Sequence, residues 1–331
     1  MLEPFFWTVV GLTLLMLGGD AVVRGAAGVA KQSGVSELLT GIVIVAFGTS
    51  APELVVALQS VYDGVPDVAV GNVIGSNIAN ILLVLGFGAM LFPIPMSQNV
   101  LFRDGVVVLA ASGFFVWLGA LGAISFSAGV VLTSALAVYL VYSYVTEQAA
   151  PAPAKAIENR ARLVDALNGR QFAVQIVMLL TGFLALFFGA KWLIFGAIEI
   201  ARWLEVSEAV IGVSIVAVGT SVPELAAVSV AALRRHPEVV LGSIVGSNIF
   251  NILAVLGITA LFQPVAISSR FYEFDLWLML SVVVIFLIFL SSDARLSRLE
   301  GALMLVGYVA YILILYSGIL PEPVIPAPSG G

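Results

Sequence analysis

Residues 41–93 of this chain are written a second time, without a gap, as residues 212–264. The offset is 171: Thr49 answers to Thr220, Glu53 to Glu224, Pro66 to Pro237, Asn80 to Asn251 and Pro93 to Pro264. Outside that window Gly18 answers to Gly189 and Ser36 to Ser207. About half of the window is identical, and the matches include Thr, Ser, Pro, Glu and Asn, so shared hydrophobicity does not explain them. Whatever this chain folds into must be built from two like halves.

Hydropathy says what the halves are made of. The 331 residues are 61% hydrophobic and 10% charged, against roughly 25% charged in a soluble domain. So few charges cannot cover a water-facing surface, and the chain reads as an all-α integral membrane protein. Apolar stretches of about 20 residues, enough to cross a bilayer, fall near 4–27, 36–61, 68–92, 100–119 and 123–145. A second set falls near 172–200, 207–232, 239–263, 271–291 and 298–317. Ten transmembrane helices are therefore expected. Residues 1–146 form the first five-helix repeat, 147–170 a polar linker, 171–320 the second repeat and 321–331 a flexible tail. Five is odd, so the second repeat must enter the membrane from the opposite face, as in many secondary transporters. The opening MLEPFFWTVVGLTLLMLGGD has Glu3 where a signal peptide is positive, and it reads as the first span.

Lys and Arg set the orientation. Lys31, Arg103, Lys155, Arg160, Arg162, Arg170, Arg234, Arg235, Arg295 and Arg298 fall on one side, with Arg24 at its edge, against Arg202 and Arg270 on the other. The linker is thus expected in the cytoplasm and both termini outside. Absence of cysteine excludes disulfides, zinc fingers and thiol catalysis. Nothing in the chain resembles the basic patch that nucleic acid requires, and no obligate protein partner is evident beyond the lipid bilayer.

Within the window, GTSAPEL (Gly48–Leu54) and GTSVPEL (Gly219–Leu225) place a helix breaker and a carboxylate inside apolar spans. Pro52 and Pro223 lack an N–H and bend the helix. Broken backbone at membrane depth is tolerated where it lines a cavity, which predicts discontinuous helices at a midplane site. Thr49, Ser50 and Glu53 share a helix face, as do Thr220, Ser221 and Glu224. The next span of each half adds GNVIGSNIANILLVLG from Gly71 and GSIVGSNIFNILAVLG from Gly242. Ser76 and Asn80 face one way with Asn77 close by, and Ser247, Asn248 and Asn251 repeat the arrangement. These are hard oxygen donors, suited to Na⁺, Ca²⁺ or Mg²⁺. A Pro kink, a Gly-rich face or a Ser on a span is by itself ordinary packing. Two intramembrane carboxylates at repeat-related positions are not, and they carry the functional reading. Asn77 and Asn248 fit two roles equally, ligand or helix clamp.

The doubled motifs resemble the two alpha-repeats of the cation/calcium exchanger superfamily, prokaryotic sodium/calcium exchangers above all. That resemblance covers the whole membrane part. It implies ten helices in an inverted repeat and alternating access, with Na⁺ entry driving Ca²⁺ extrusion across a prokaryotic cytoplasmic (inner) membrane. It makes Glu53 and Glu224 the central ligands, and Thr49, Ser50, Ser76, Thr220, Ser221 and Ser247 hydroxyl or carbonyl ligands. It also implies backbone carbonyl ligands at Ala46 and Ala217, with Asn80 and Asn251 completing the site. Asn at both of the last two positions leaves two fixed charges, which balance one Ca²⁺. The transported ions bind the site, and no cofactor is implied.

Other classes fit less well. No phosphate-binding loop GxxxxGK[ST] is present for an ATP-driven pump. An intramembrane protease would use two acids, but nothing supplies a nucleophile with a paired base, so the chain is read as a non-enzyme. Exchange of Ca²⁺ or another cation for H⁺ would use the same glutamates and is the main rival. His236, the single histidine, is expected to be a solvated loop residue. Asp20 and Lys191, opposite charges at equivalent positions, are not expected to pair, because inversion puts them at opposite ends of their spans.

Overall fold

The computed structural model describes residues 2–95, 101–149, 169–204, 219–293 and 295–316. Ala217, the first part of the expected 207–232 span, most of the linker and the tail lie outside the described residues. Among the described residues, eight helices are long and apolar enough to cross a membrane, or nine with one bent pair counted as a span. The described residues are helical apart from the connecting turns and four two-residue strands.

The first half opens with α1 (Leu2–Ser33), longer than its apolar stretch. Ser36 then caps α2 (Glu37–Thr49), its side chain accepting the N–H of Leu39 at 3.1 Å. At Ser50 the helix breaks, and α3 (Ala51–Tyr62) leaves at 42° to α2. Pro52 sits in the first turn of α3, where a missing N–H leaves nothing unsatisfied. Pro66 starts α4 (Pro66–Leu91) in the same way. Strand β1 (Ile94–Pro95), α5 (Val106–Leu121), β2 (Ala123–Ile124) and α6 (Phe126–Ala149) complete the half.

The second half runs α7 (Gly169–Trp203), α8 (Val222–Leu233), α9 (Pro237–Phe262), β3 (Val265–Ala266), α10 (Leu276–Asp293), β4 (Arg295–Leu296) and α11 (Arg298–Tyr316). The apolar stretch of α9 is wholly buried and that of α7 only 22% buried, so α9 is central and α7 peripheral.

Helices α1 and α7 hold equivalent places in the two repeats and pack along their length. A side chain on Gly11 would strike the carbonyl of Gly189, and one on Gly18 the carbonyl of Gly182. Near the other end Gly196 meets Pro4 and Thr8. Low numbers of one helix meet high numbers of the other, so the two equivalent helices run antiparallel at backbone-to-backbone distance. The short strands also cross between halves, β1 with β4 and β2 with β3, both antiparallel.

The apolar periodicity did not foretell the five wide π-helical turns found among the described residues: Gly41–Val45, Asn80–Leu85, Leu101–Gly105, Asn251–Leu256 and Phe271–Asp275. Two begin at Asn80 and Asn251, and such turns gather at functional sites.

Polar clusters away from the helix breaks stitch elements together. Asp104 is fully buried, taking two hydrogen bonds from Arg103 (2.9 and 3.0 Å) and one from Tyr139 (2.9 Å). Asp20 pairs with Arg24 and Arg234. His236 lies in the loop between α8 and α9 and is about one-third exposed, but it also has a partner that the sequence does not suggest: its Nδ1 lies 2.7 Å from Glu37 Oε2. The loop between α8 and α9 packs back on the start of α2, and a partner so far away in sequence leaves no local trace.

Candidate ion-binding site

The turns at Ser50 and Ser221 both lie in the protein interior. Ser50 takes φ −86° and ψ 1°, and Ser221 takes φ −90° and ψ 4°, so the repeated motif produces the same turn twice. Each turn launches a short helix with its glutamate in the first turn: Glu53 on α3 and Glu224 on α8. Both are buried, with 1% and 0% exposure.

Packing then exchanges the halves. Helix α3, with Glu53, packs against the Asn251–Leu256 turn, and α8, with Glu224, against the Asn80–Leu85 turn. Glu53 is also an electrostatic neighbour of Glu224, and the Thr49 hydroxyl approaches that same carboxylate. Helix α2 lies on α9 so closely that a Cβ on Gly246 would come within 2.7 Å of the Ala46 side chain. Ala46 and Thr49 of one half thus adjoin Ser247 and Glu224 of the other.

Hydrogen bonding shows which oxygens are already committed. Thr49 Oγ1 donates to the carbonyls of Val45 (3.1 Å) or Ala46 (3.3 Å), and the Ala46 carbonyl also accepts the Ser50 N–H at 2.9 Å. Ser76 Oγ donates to the Val73 carbonyl at 3.2 Å and accepts the Asn251 amide at 3.0 Å. The remainder are buried without a hydrogen-bond partner: Ser50 Oγ, Glu53 Oε2, both Glu224 oxygens, Ser247 Oγ, and the side-chain oxygens of Asn80, Asn248 and Asn251. Ser221 is buried beside Glu224, and Thr220 is half-buried at the start of its break. Among the described residues, every site residue named from the sequence lies within about one helical turn of these two bends or on α4 and α9, at or just before their Asn80 and Asn251 turns.

A carboxylate buried without a partner is strongly unfavourable, and two side by side are worse. Such a group is stable in this setting when a cation shares it. No group of three or more His, Cys, Asp or Glu occurs among the described residues. The donor set is therefore two carboxylates plus hydroxyl, amide and carbonyl oxygens, which suits Na⁺ or Ca²⁺ rather than a transition metal.

The profile of the sodium/calcium exchanger protein family matches residues 3–145 and 174–317, leaving out only the linker and the termini. The chain belongs to the sodium/calcium exchanger family. It is 33% identical to the putative antiporter CaxA of Alkalimonas amylolytica over 96% of this chain and 100% of that protein. It is 32% identical to the sodium/calcium exchanger MaX1 of Methanosarcina acetivorans, covering 94% and 98% of the two chains. Among solved structures it resembles the sodium/calcium exchanger of Methanococcus jannaschii at 29% identity and a TM-score of 0.77, over 94% and 98% of the two chains. The exchanger NCX_Mj soaked with 10 mM Na⁺ and zero Ca²⁺ superimposes with a TM-score of 0.80 at 30% identity, over 95% and 99%. Membership places this chain in a family of exchangers.

Proposed function

We propose that this protein is a secondary antiporter that exchanges Na⁺ for Ca²⁺ across its membrane by alternating access. The observation that carries the reading is the pair Glu53 and Glu224. Two intramembrane carboxylates from different repeats are buried at two matching helix breaks, with oxygens that no protein group satisfies. The family and the named exchangers among its relatives point the same way.

The full architecture is ten transmembrane helices in two inverted repeats, residues 1–146 and 171–320, joined by the 147–170 linker. Antiparallel packing of the equivalent helices α1 and α7 supports inversion. So do the strand pairings, since each joins two connections that the ten-span reading puts on one side of the membrane. The linker is cytoplasmic, both termini and the 321–331 tail are outside, and the membrane is a prokaryotic inner membrane.

The ion site comprises Glu53 and Glu224 with Thr49, Ser50, Ser76, Asn80, Thr220, Ser221, Ser247 and Asn251, and the carbonyls of Ala46 and Ala217. Ca²⁺ takes 6–8 oxygen ligands, and this set supplies them with two negative charges to balance one Ca²⁺. Na⁺ competes for the same oxygens. An unloaded site leaves two uncompensated carboxylates in the membrane, which penalises transit of the empty carrier and enforces exchange without uniport. Because the ions are the cargo, the mechanism needs no cofactor and no second protein.

The test is Ca²⁺ uptake into Na⁺-loaded liposomes diluted into Na⁺-free buffer, with Glu53→Gln, Glu224→Gln and a proton-gradient arm at clamped voltage. Uptake that needs the Na⁺ gradient and is lost in both variants is expected. Uptake driven by the proton gradient alone would reassign the protein to cation/H⁺ exchange. Folded protein with no uptake under either gradient would exclude Ca²⁺ as substrate.

A further inference from the structure

The repeated motif is symmetric in sequence but not in its hydrogen bonds. Asn251 Nδ2 donates to Ser76 Oγ at 3.0 Å and to Asn77 Oδ1 at 3.4 Å. Asn77 Nδ2 in turn donates to the sulfur of Met279, on α10, at 3.8 Å. A thioether sulfur can only accept, so it selects the amide end of Asn77 and turns that residue's oxygen toward Asn251. Ser76 has already given its proton to the Val73 carbonyl, so it too can only accept from Asn251. Both neighbours thus demand the Nδ2 end of Asn251. A flipped Asn251 would set its oxygen against two other acceptors. Its Oδ1 is left buried and without a partner, at the head of the turn on which the Glu53 helix packs.

In the other half no such anchor occurs among the described residues. Val108 stands 171 residues before Met279 and offers no acceptor, and the side-chain oxygen of Asn248, the counterpart of Asn77, has no partner.

We infer that Asn77 is a positioning residue: anchored by Met279, it fixes the Asn251 amide so that the oxygen, and not the NH₂ group, is presented to the transported cation. A carboxylate in place of Asn251 would need no such device, because its two ends are alike. An amide does, since its wrong end repels a cation. Of the two roles the motif left open for Asn77, the geometry selects the clamp, acting on a ligand rather than on a helix. The inference rests on the proposed ion site, and the experiment separates the two.

Ca²⁺ binding to the purified protein is measured by calorimetry, KM for Ca²⁺ in Na⁺-loaded liposomes, and Tm by intrinsic fluorescence. Wild-type protein comes first: folded protein that neither binds nor transports Ca²⁺ overturns the site itself, before any variant is read. Asn77→Ala is then expected to raise the Ca²⁺ Kd and KM by about 10- to 100-fold, the usual effect of removing a group that orients a metal ligand. In an Asn251→Ala background, with no amide to orient, the same change should add no more than about twofold. Equal losses in the two backgrounds, or no loss in the wild type, would overturn the inference. Met279→Leu gives an independent reading where Asn251→Ala proves too weak to measure. It keeps the volume and removes only the sulfur acceptor. A raised KM at unchanged Tm supports the relay; an unchanged KM refutes it.

Discussion

Replacing Gly246 by alanine tests whether the ion site is assembled by the close crossing of α2 and α9. The added Cβ would stand 2.7 Å from Ala46 Cβ, 2.8 Å from Ile42 Cα and 2.9 Å from the Ile42 carbonyl oxygen. Two of those three atoms are backbone, so no rotamer change can relieve the contact. Carbon atoms settle at about 3.5–4.0 Å, so the helices must part by about 1 Å. Overpacking of this kind costs about 1–3 kcal/mol of stability. The functional effect follows from Coulomb's law. If about 0.3 Å of that displacement lengthens one carboxylate–Ca²⁺ distance from about 2.4 Å, at an effective dielectric constant of about 20, the loss is about 1.5 kcal/mol. That is a rise of about tenfold in the Ca²⁺ KM. The assay is Na⁺-dependent Ca²⁺ uptake in liposomes beside a Tm measurement. Gly113→Ala is the control, since nothing among the described residues lies within 4 Å of its added Cβ. A Gly246→Ala protein with wild-type Tm and KM would mean that the α2–α9 crossing does not set the ligand spacing.

Further outcomes follow from other parts of the structure. Ca²⁺ at about one hundred times its Kd should stabilise the wild-type protein by about 2.7 kcal/mol, read as a raised Tm, and should leave Glu53→Gln and Glu224→Gln unmoved. Tyr139→Phe deletes one hydrogen bond to the buried Asp104 and should lower stability by about 1.5–3 kcal/mol without changing the Ca²⁺ KM, as measured by Tm and uptake together. His236→Gln removes a contact between two side chains that are each about one-third exposed. Its effect on stability should therefore stay within about 1 kcal/mol, as measured by denaturant titration. Sr²⁺ should replace Ca²⁺ in the uptake assay and Mg²⁺ should not, since Mg²⁺ demands near-octahedral geometry at about 2.0–2.1 Å and gives up its water reluctantly.

Much of the site was legible because its signal is local and doubled. A Thr-Ser-Pro-Glu run stands out in any apolar span, and finding it twice at one offset separates it from chance. Helix α9 was equally plain from its apolar length. The wide turns at Asn80 and Asn251 were not, since a π turn changes the phase of a helix without changing its composition. The His236–Glu37 contact was missed for another reason: it joins residues 199 positions apart, and no periodicity reports on that.

Hydropathy and a duplication at an offset of 171 determine, from the sequence alone, that this chain is a membrane protein of two like halves. The same sequence puts a carboxylate beside a break in each. These follow from solvation and backbone chemistry, which act residue by residue. Tertiary structure decided how the halves differ. Asn80 and Asn251, or Asn77 and Asn248, are indistinguishable within their motifs. Yet Asn251 is held by Ser76 and Asn77, while Asn248 leaves its oxygen unpartnered. What tells them apart is a neighbour across the fold: Met279 accepts the Asn77 amide, and the residue 171 positions before it, Val108, has no acceptor to offer. Only packing brings a sulfur acceptor to one amide of the pair, and hydrogen bonding then orients it.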